Sequence, residues 1–316
     1  MVRERQVKGR SAMLTRRSTI SSLVLGALAL AGCGRPAAQT PTASSGEGYA
    51  HPELLAETEW LATQLGQPKI RIVDMRPLEA YRQGHIPGAV QLDGAKLKDP
   101  DEKLYVTRPD TFARMMGELG IDETVTVVAY DDQGGLWAAR LWWVLDYYGH
   151  TNARVLNGGW KKWEVEKRPV TTEVPSFPRT TFTPRVNPNV ICGLEDVKKA
   201  LNSPDFAIVD ARSAAEYAGT DVRAARGGHI PKAINIDWQR NLTTEEPRVW
   251  KPAAELRAMY EKAGVTKDKE IITYCQTAVR AAHTLFTLRL IGYGKVLNYD
   301  GSWAEWGNDP NTPIER

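Results

Sequence analysis

The sequence has three cysteines, Cys33, Cys192 and Cys275, and five histidines. Cys275 stands in the pattern that most suggests chemistry. It follows the β-branched run Ile271-Ile272-Thr273 and Tyr274, and it opens the segment Cys275-Gln276-Thr277-Ala278-Val279-Arg280. A free thiol titrates near 8.5 and is mostly protonated at neutral pH, so a cysteine nucleophile needs help to ionise. A loop curling around the sulfur aims consecutive backbone N–H groups at it, and a following helix adds its positive end; both favour the thiolate. Arg280 closes the loop, and its guanidinium can offer two parallel donors to an anionic substrate or leaving group. The cysteines are too few and too scattered for a disulfide framework. None forms a C-x-x-C or a Cys/His metal spacing, so neither a metal nor another cofactor is expected.

The elements that must position Cys275 come from an internal repeat. Val73-Asp74-x-Arg76 matches Val209-Asp210-x-Arg212, Tyr81 matches Tyr217, and Gly84-His85-Ile86-Pro87-x-Ala89 matches Gly228-His229-Ile230-Pro231-x-Ala233. The second copy carries extra residues between its tyrosine and its histidine. The match resumes at Val127 to Asp131 against Ile271 to Cys275, and again at Gly158-Gly159-Trp160-x-x-Trp163 against Gly301-Ser302-Trp303-x-x-Trp306. Short β-branched runs (70–73, 125–128, 207–209, 271–273) alternate with longer helical patterns, which predicts an α/β fold of parallel strands joined by crossover helices. Val279, Ala282, Phe286 and Leu290 recur at helical spacing, giving an apolar helix face directly after the Tyr274 strand. Cys275 thus belongs to a strand-to-helix turn at the carboxyl edge of a sheet, where open α/β folds bind ligands. Residues 171–189 carry four prolines and little periodicity, the composition of a partly stiff surface linker.

With V-D-x-R, G-H-I-P-x-A, the cysteine loop and the D-G-x-W-x-x-W ending at Trp306 in order and duplicated, the chain from about His51 onward resembles a tandem-domain thiosulfate sulfurtransferase of the rhodanese family. The resemblance implies two tandem rhodanese-like domains, each a mainly parallel sheet flanked by helices. It divides the chain into residues 49–170, a linker at 171–189, and a catalytic half at 190–316. It further implies a double displacement in which the Cys275 thiolate takes the outer sulfur of thiosulfate, sulfite leaves, and cyanide or a thiol collects the sulfur from the persulfide. Arg280, Arg212 and the loop residues Gln276, Thr277, Ala278 and Val279 are the implied substrate contacts. For Arg212 an ion pair to a neighbouring carboxylate is an equal alternative, because Arg76 repeats it in the other copy. The C-x4-R loop is one residue shorter than the C-x5-R loop of phosphatases with a related architecture, which favours sulfur over phosphate. Where the family's loop usually has Gly, this chain has Ala278, which must adopt an ordinary conformation or store strain of about 1 kcal/mol or more. Neutral Gln276 and Thr277 leave thiosulfate and 3-mercaptopyruvate both open as donors, beside a noncatalytic carrier of persulfide.

The first copy has Asp131 where the second has Cys275, and Asp132 follows it. A carboxylate is a poor sulfur nucleophile and two acids repel an anionic donor, so the first half is expected to be catalytically silent and to cover part of the second half's cleft. Cys192 reads as a small buried hydrophobe, with a resolving thiol as its functional rival. His85 and His229 read as turn residues, Trp303 and Trp306 as core anchors, and the Trp142-Trp143 and Tyr147-Tyr148 pairs as helix residues at the interface between the halves.

The first residues form a different kind of segment. A basic stretch ending at Arg16-Arg17 precedes an apolar run from Leu23 to Ala31, too short for the roughly 20 residues that span a bilayer. Leu30-Ala31-Gly32-Cys33 resembles the lipobox of bacterial lipoproteins. This implies a signal peptide over 1–32, a lipidated Cys33 and a flexible tether over 33–48 rich in Ala, Pro, Thr, Ser and Gly. An exported protein in the periplasm or cell envelope, held to a membrane by its lipid, is the expectation. Thr15-Arg16-Arg17 is similar to a twin-arginine export signal but has Thr19 where a Phe is usual, so both export routes stay open. Six of the chain's basic residues and one acid lie in residues 1–32, and the remainder carries a net charge of −2. That balance excludes a nucleic-acid surface.

Overall fold

The computed structural model describes residues 48–316; the expected signal peptide, Cys33 and nearly all of the tether lie outside them. Each copy of the repeat folds into one five-stranded, all-parallel sheet. The first contains β1 (Leu55–Ala56), β2 (Ile70–Asp74), β3 (Ala89–Gln91), β4 (Thr126–Tyr130) and β5 (Ala153–Leu156), in the spatial order 1-5-4-2-3. The second contains β6 (Ile191–Cys192), β7 (Phe206–Asp210), β8 (Ile234–Asn235), β9 (Glu270–Tyr274) and β10 (Val296–Tyr299), in the equivalent order 6-10-9-7-8. In both central pairs the four residues after the first are buried, as expected of parallel strands covered by helices on both faces.

The helices of the first half are α1 (Thr58–Thr63), α2 (Leu78–Gln83), α3 (Pro109–Glu118), α4 (Leu136–Tyr147) and α5 (Gly159–Val165). Those of the second are α6 (Leu194–Ala200), α7 (Ala214–Tyr217), α8 (Ala253–Lys262), α9 (Val279–Leu290) and α10 (Ser302–Trp306). The chain leaves β7 toward β8 and leaves β9 toward β10, so the strand order reverses between β7 and β9. A crevice at the carboxyl ends of these two strands is where such sheets bind ligands.

The apolar stripe read on α9 understates its burial. Ala281, Leu285 and Leu288 are as buried as Ala282, Phe286 and Leu290, because one side of the helix packs on its own sheet and the other on α4 of the first half. Trp142 of α4 meets Phe286 of α9 edge-on, with centroids 5.0 Å apart. One cluster of buried side chains runs through both halves without a break. Trp143 turns its indole N–H to the Val190 carbonyl at 2.9 Å, whereas Tyr148 packs inside the first half on Phe112. The proline-rich segment lies over the first half, tied by backbone bonds from Thr180, Arg185 and Asn187 to Gly117, Tyr148 and Tyr147. No helix among the described residues is long and apolar enough to cross a membrane.

Candidate active site

Tyr274 ends β9 and Val279 begins α9, so Cys275 to Ala278 form a four-residue turn between strand and helix. The D-G-x-W segment grips the base of this turn. The Cys275 N–H donates to Ser302 Oγ at 3.2 Å, and the Trp303 N–H donates to the Cys275 carbonyl at 2.9 Å. Cys275 is 1% exposed. Ala278 is buried and stands at φ 61°, ψ 10°: of the two expectations for this position, the left-handed, strained one holds. Gly135 occupies the matching place in the first half, at φ 86°.

The first half shows what this kind of turn does with a negative charge. Asp131 Oδ1 accepts N–H bonds from Gln133 and Gly135 at 2.8 and 2.9 Å, and its Oδ2 accepts from Trp137 and Ala138 at 2.7 and 2.9 Å. Burial raises the Asp131 carboxyl above its ordinary range, and those four N–H groups offset only part of that rise. The turn is an anion cradle that carries its own anion. In the second half a cysteine stands in its place.

Arg280 is not held free for a ligand. Its two terminal nitrogens donate to Glu216 at 2.6 and 2.8 Å, a bidentate pair with a carboxylate that is 1% exposed. Burial alone would raise the Glu216 carboxyl; Arg280, with help from Ser213, outweighs it and brings it down to about 2. Arg280 itself is pushed up by Glu216 and by its closeness to Cys275, against the effect of burial. The guanidinium therefore sits between a buried carboxylate and the thiol.

Of the two expectations for Arg212, the structure shows the ion pair to a neighbouring carboxylate. Its Nε donates to both Asp210 oxygens at 3.0 Å, and one terminal nitrogen donates to Asp210 Oδ2 at 2.6 Å and to the Gly228 carbonyl at 2.8 Å. The plane lies over Trp303, 4.5 Å from its ring, and is buried. Arg76, Asp74, Gly84 and Trp160 repeat this arrangement in the first half. Its recurrence beside a turn with no nucleophile makes it a brace for the G-H-I-P turn.

Among the other loop residues, Gln276 donates its amide to the Arg223 carbonyl at 2.9 Å, Thr277 is exposed, and Val279 is buried. His85 and His229 stack on Tyr81 and Tyr217 and bond to their carbonyls, as turn residues should. Cys192 and Cys275 are free thiols on opposite faces of the second sheet, Cys192 in the core layer with Tyr274 and Trp303. Burial pushes the Cys192 thiol well up, which makes it a poor resolving group.

Sequence reading missed Glu216, Lys98, Arg140 and Asp300 as residues around the thiol. A signal was present for Glu216: it aligns with Ala80, just as Arg280 aligns with Trp137. The pair appears together only in the copy that has the cysteine.

Comparison with known proteins bears on this geometry. The rhodanese-like domain family matches residues 57–166 and 193–309. The sulfur carrier protein TtuD of Thermus thermophilus is 40% identical over 284 residues, spanning 85% of this chain and 99% of that protein. A thiosulfate sulfurtransferase of Pseudomonas aeruginosa is 38% identical over 265 residues, spanning 83% and 97%. Among solved structures, the anaerobic ergothioneine biosynthesis enzyme from Chlorobium limicola superposes with a TM-score of 0.76 at 26% identity, covering 84% of this chain and 71% of that one.

Proposed function

This chain belongs to the rhodanese-like domain family, and we propose on that footing that it is a thiosulfate sulfurtransferase working through a persulfide on Cys275. The thiolate attacks the outer sulfur of thiosulfate, and the electron pair of the S–S bond departs with sulfite. A thiol or cyanide then takes the outer sulfur and returns the thiolate. The observation that carries this reading is the Asp131 turn, where four N–H groups surround an anion. The second half's turn, one residue shorter, has Cys275 at the same strand end and leads into the N-terminus of α9.

The test is thiocyanate formation from thiosulfate and cyanide by the wild-type protein and a Cys275→Ser variant. Activity in the first and none in the second supports the reading; equal rates remove it. Comparing kcat/KM for thiosulfate and 3-mercaptopyruvate decides between the two donors. A carrier role is the second reading, favoured by the 40% identity to the sulfur carrier protein TtuD. A gain of one sulfur atom in the intact mass after thiosulfate treatment, without thiocyanate release, selects it. The proposal extends to location: Cys33 carries a lipid that holds the exported protein to a membrane of the cell envelope.

A further inference from the structure

The two halves cover each other's turns at equivalent positions, and the residues they use differ in charge. A short 3-10 turn opened by Asp93 in the first half (Gly94–Leu97) matches one opened by Asp237 in the second (Trp238–Asn241). Each is followed by an antiparallel bridge, Lys98 with Val106 and Leu242 with Trp250. Lys98 and Leu242 are therefore counterparts. Leu242 lies on the Asp131 turn, so close that a Cβ on Gly134 would stand 2.5 Å from its Cδ1. Around that same turn the Trp250 N–H donates to Asn157 at 3.1 Å, and His283 bonds to the Gly134 carbonyl at 3.2 Å. The mirror contacts on the Cys275 turn are the Val106 N–H to Asp300 at 2.5 Å and Arg140 to the Ala278 carbonyl at 3.3 Å.

The turn that already contains an anion is thus faced by Leu242, His283 and Asn157, which are neutral at pH 7 because burial pushes His283 down to about 3, and by Arg248, whose charge is paired with Glu246. The turn that contains the cysteine is faced by Lys98, Arg140 and Asp300. One Asp300 oxygen serves both cations, 2.9 Å from Arg140 and only 3.6 Å from Lys98. The nearby Arg280 charge is matched by Glu216. With no charge on Cys275, as in a Cys275→Ser variant, the Lys98 charge is left in excess, on a side chain only 15% exposed, with the Leu104 carbonyl at 2.5 Å as its hydrogen-bond acceptor. A buried cation in excess beside a nucleophile is a site for an anion.

We propose that Lys98, supplied by the half without a nucleophile, is the residue that holds the anionic sulfur donor over Cys275. This rests on the sulfur-transfer reading and names the group that recognises the donor's oxyanion end. Burial first, then Arg140, lower the Lys98 ammonium to about 8, against the raising effects of Asp300 and Cys275. Asp99 beside it in the chain, Tyr105 beyond Asp300, and the Glu305 of α10 that accepts the Tyr105 hydroxyl are the further charged and titratable groups nearby. Lys98 carries its charge below pH 8 and loses it above, and donor binding weakens in the same direction.

Thiosulfate is the probe, titrated by calorimetry into the full-length Cys275→Ser variant, which binds without turnover. At pH 7 binding is expected, and at pH 9.5 it weakens by about tenfold or more, following the loss of a charge-assisted contact. Adding Lys98→Arg keeps the affinity at pH 7 and removes the pH dependence. Adding Lys98→Met weakens binding about tenfold already at pH 7. If Lys98→Met fails to fold, the Lys98→Arg arm decides alone. The inference is overturned if Lys98→Arg retains the parent's pH dependence, if Lys98→Met binds like the parent, or if the parent shows no binding at pH 7. Failure of sulfur transfer itself is read separately, as equal thiocyanate formation with and without the Cys275 thiol.

Discussion

Ala278 and Asp131 show how single side chains tune one backbone device. The turn needs its last residue in the left-handed region, which glycine enters freely and alanine at a cost of about 1 kcal/mol. The Ala278 methyl is fully buried, and burying one such carbon contributes about 0.8 kcal/mol. The two effects nearly cancel. Ala278→Gly is therefore expected to stay within about 1 kcal/mol of the parent in urea denaturation at pH 7. Ala278→Val, which puts a β-branched residue at positive φ, should lose more than about 2 kcal/mol. A large loss in the glycine variant would show that the methyl's packing, not the backbone conformation, governs this position. Asp131 makes the complementary point: its turn is satisfied from within by four backbone N–H groups, and the one charged side chain packed on Gly134, Arg248, has Glu246 as its partner.

At the scale of elements, α7 and α9 are joined by one ion pair. Ser213 caps α7 and accepts the Glu216 N–H, which fixes the Glu216 carboxylate where the first turn of α9 presents Arg280. The Glu216 carboxyl is lowered from 4.5 to about 2. A depressed carboxyl contributes stability that is fully present above its unfolded value of 4.5 and is lost as the pH falls toward 2. The expected contribution is about 3 kcal/mol at pH 6. Glu216→Gln should therefore melt well below the wild type at pH 6, and the two curves should converge toward pH 2.5. An equal gap at both pH values would show that the pair contributes through packing alone. The gap between sequence and structure at this site has the same origin. The arginine was legible because it ends the cysteine loop, but its partner lies 64 residues away on another helix, where no spacing rule connects them.

At the scale of the molecule, duplication has produced a division of labour. The first half keeps the sheet, the turn and the braces, and an aspartate has closed its cradle. What it contributes is the packing of α4 against α9, a core continuous with that of its twin, and the charged groups Lys98 and Arg140 at the other half's turn. Location belongs to this scale too. In a host that processes lipoproteins, the wild-type protein should fractionate with membranes and require detergent for release, whereas Cys33→Ala should be released without it. Wild-type protein released without detergent would refute the anchor.

The sequence by itself determined the duplicated α/β architecture, and it singled out Cys275 as the proposed nucleophile with Asp131 at its counterpart in the first half. Those features are written in local pattern: β-branched runs, a thiol at a strand end, an aspartate at its counterpart. Tertiary structure alone decided that Arg212 braces a turn, that Glu216 occupies Arg280, and that Lys98 faces Cys275 from the opposite half. The reason is physical: charge pairing depends on distances of a few ångströms between segments that only folding brings together, and Coulomb attraction carries no sequence period by which it could be read in advance.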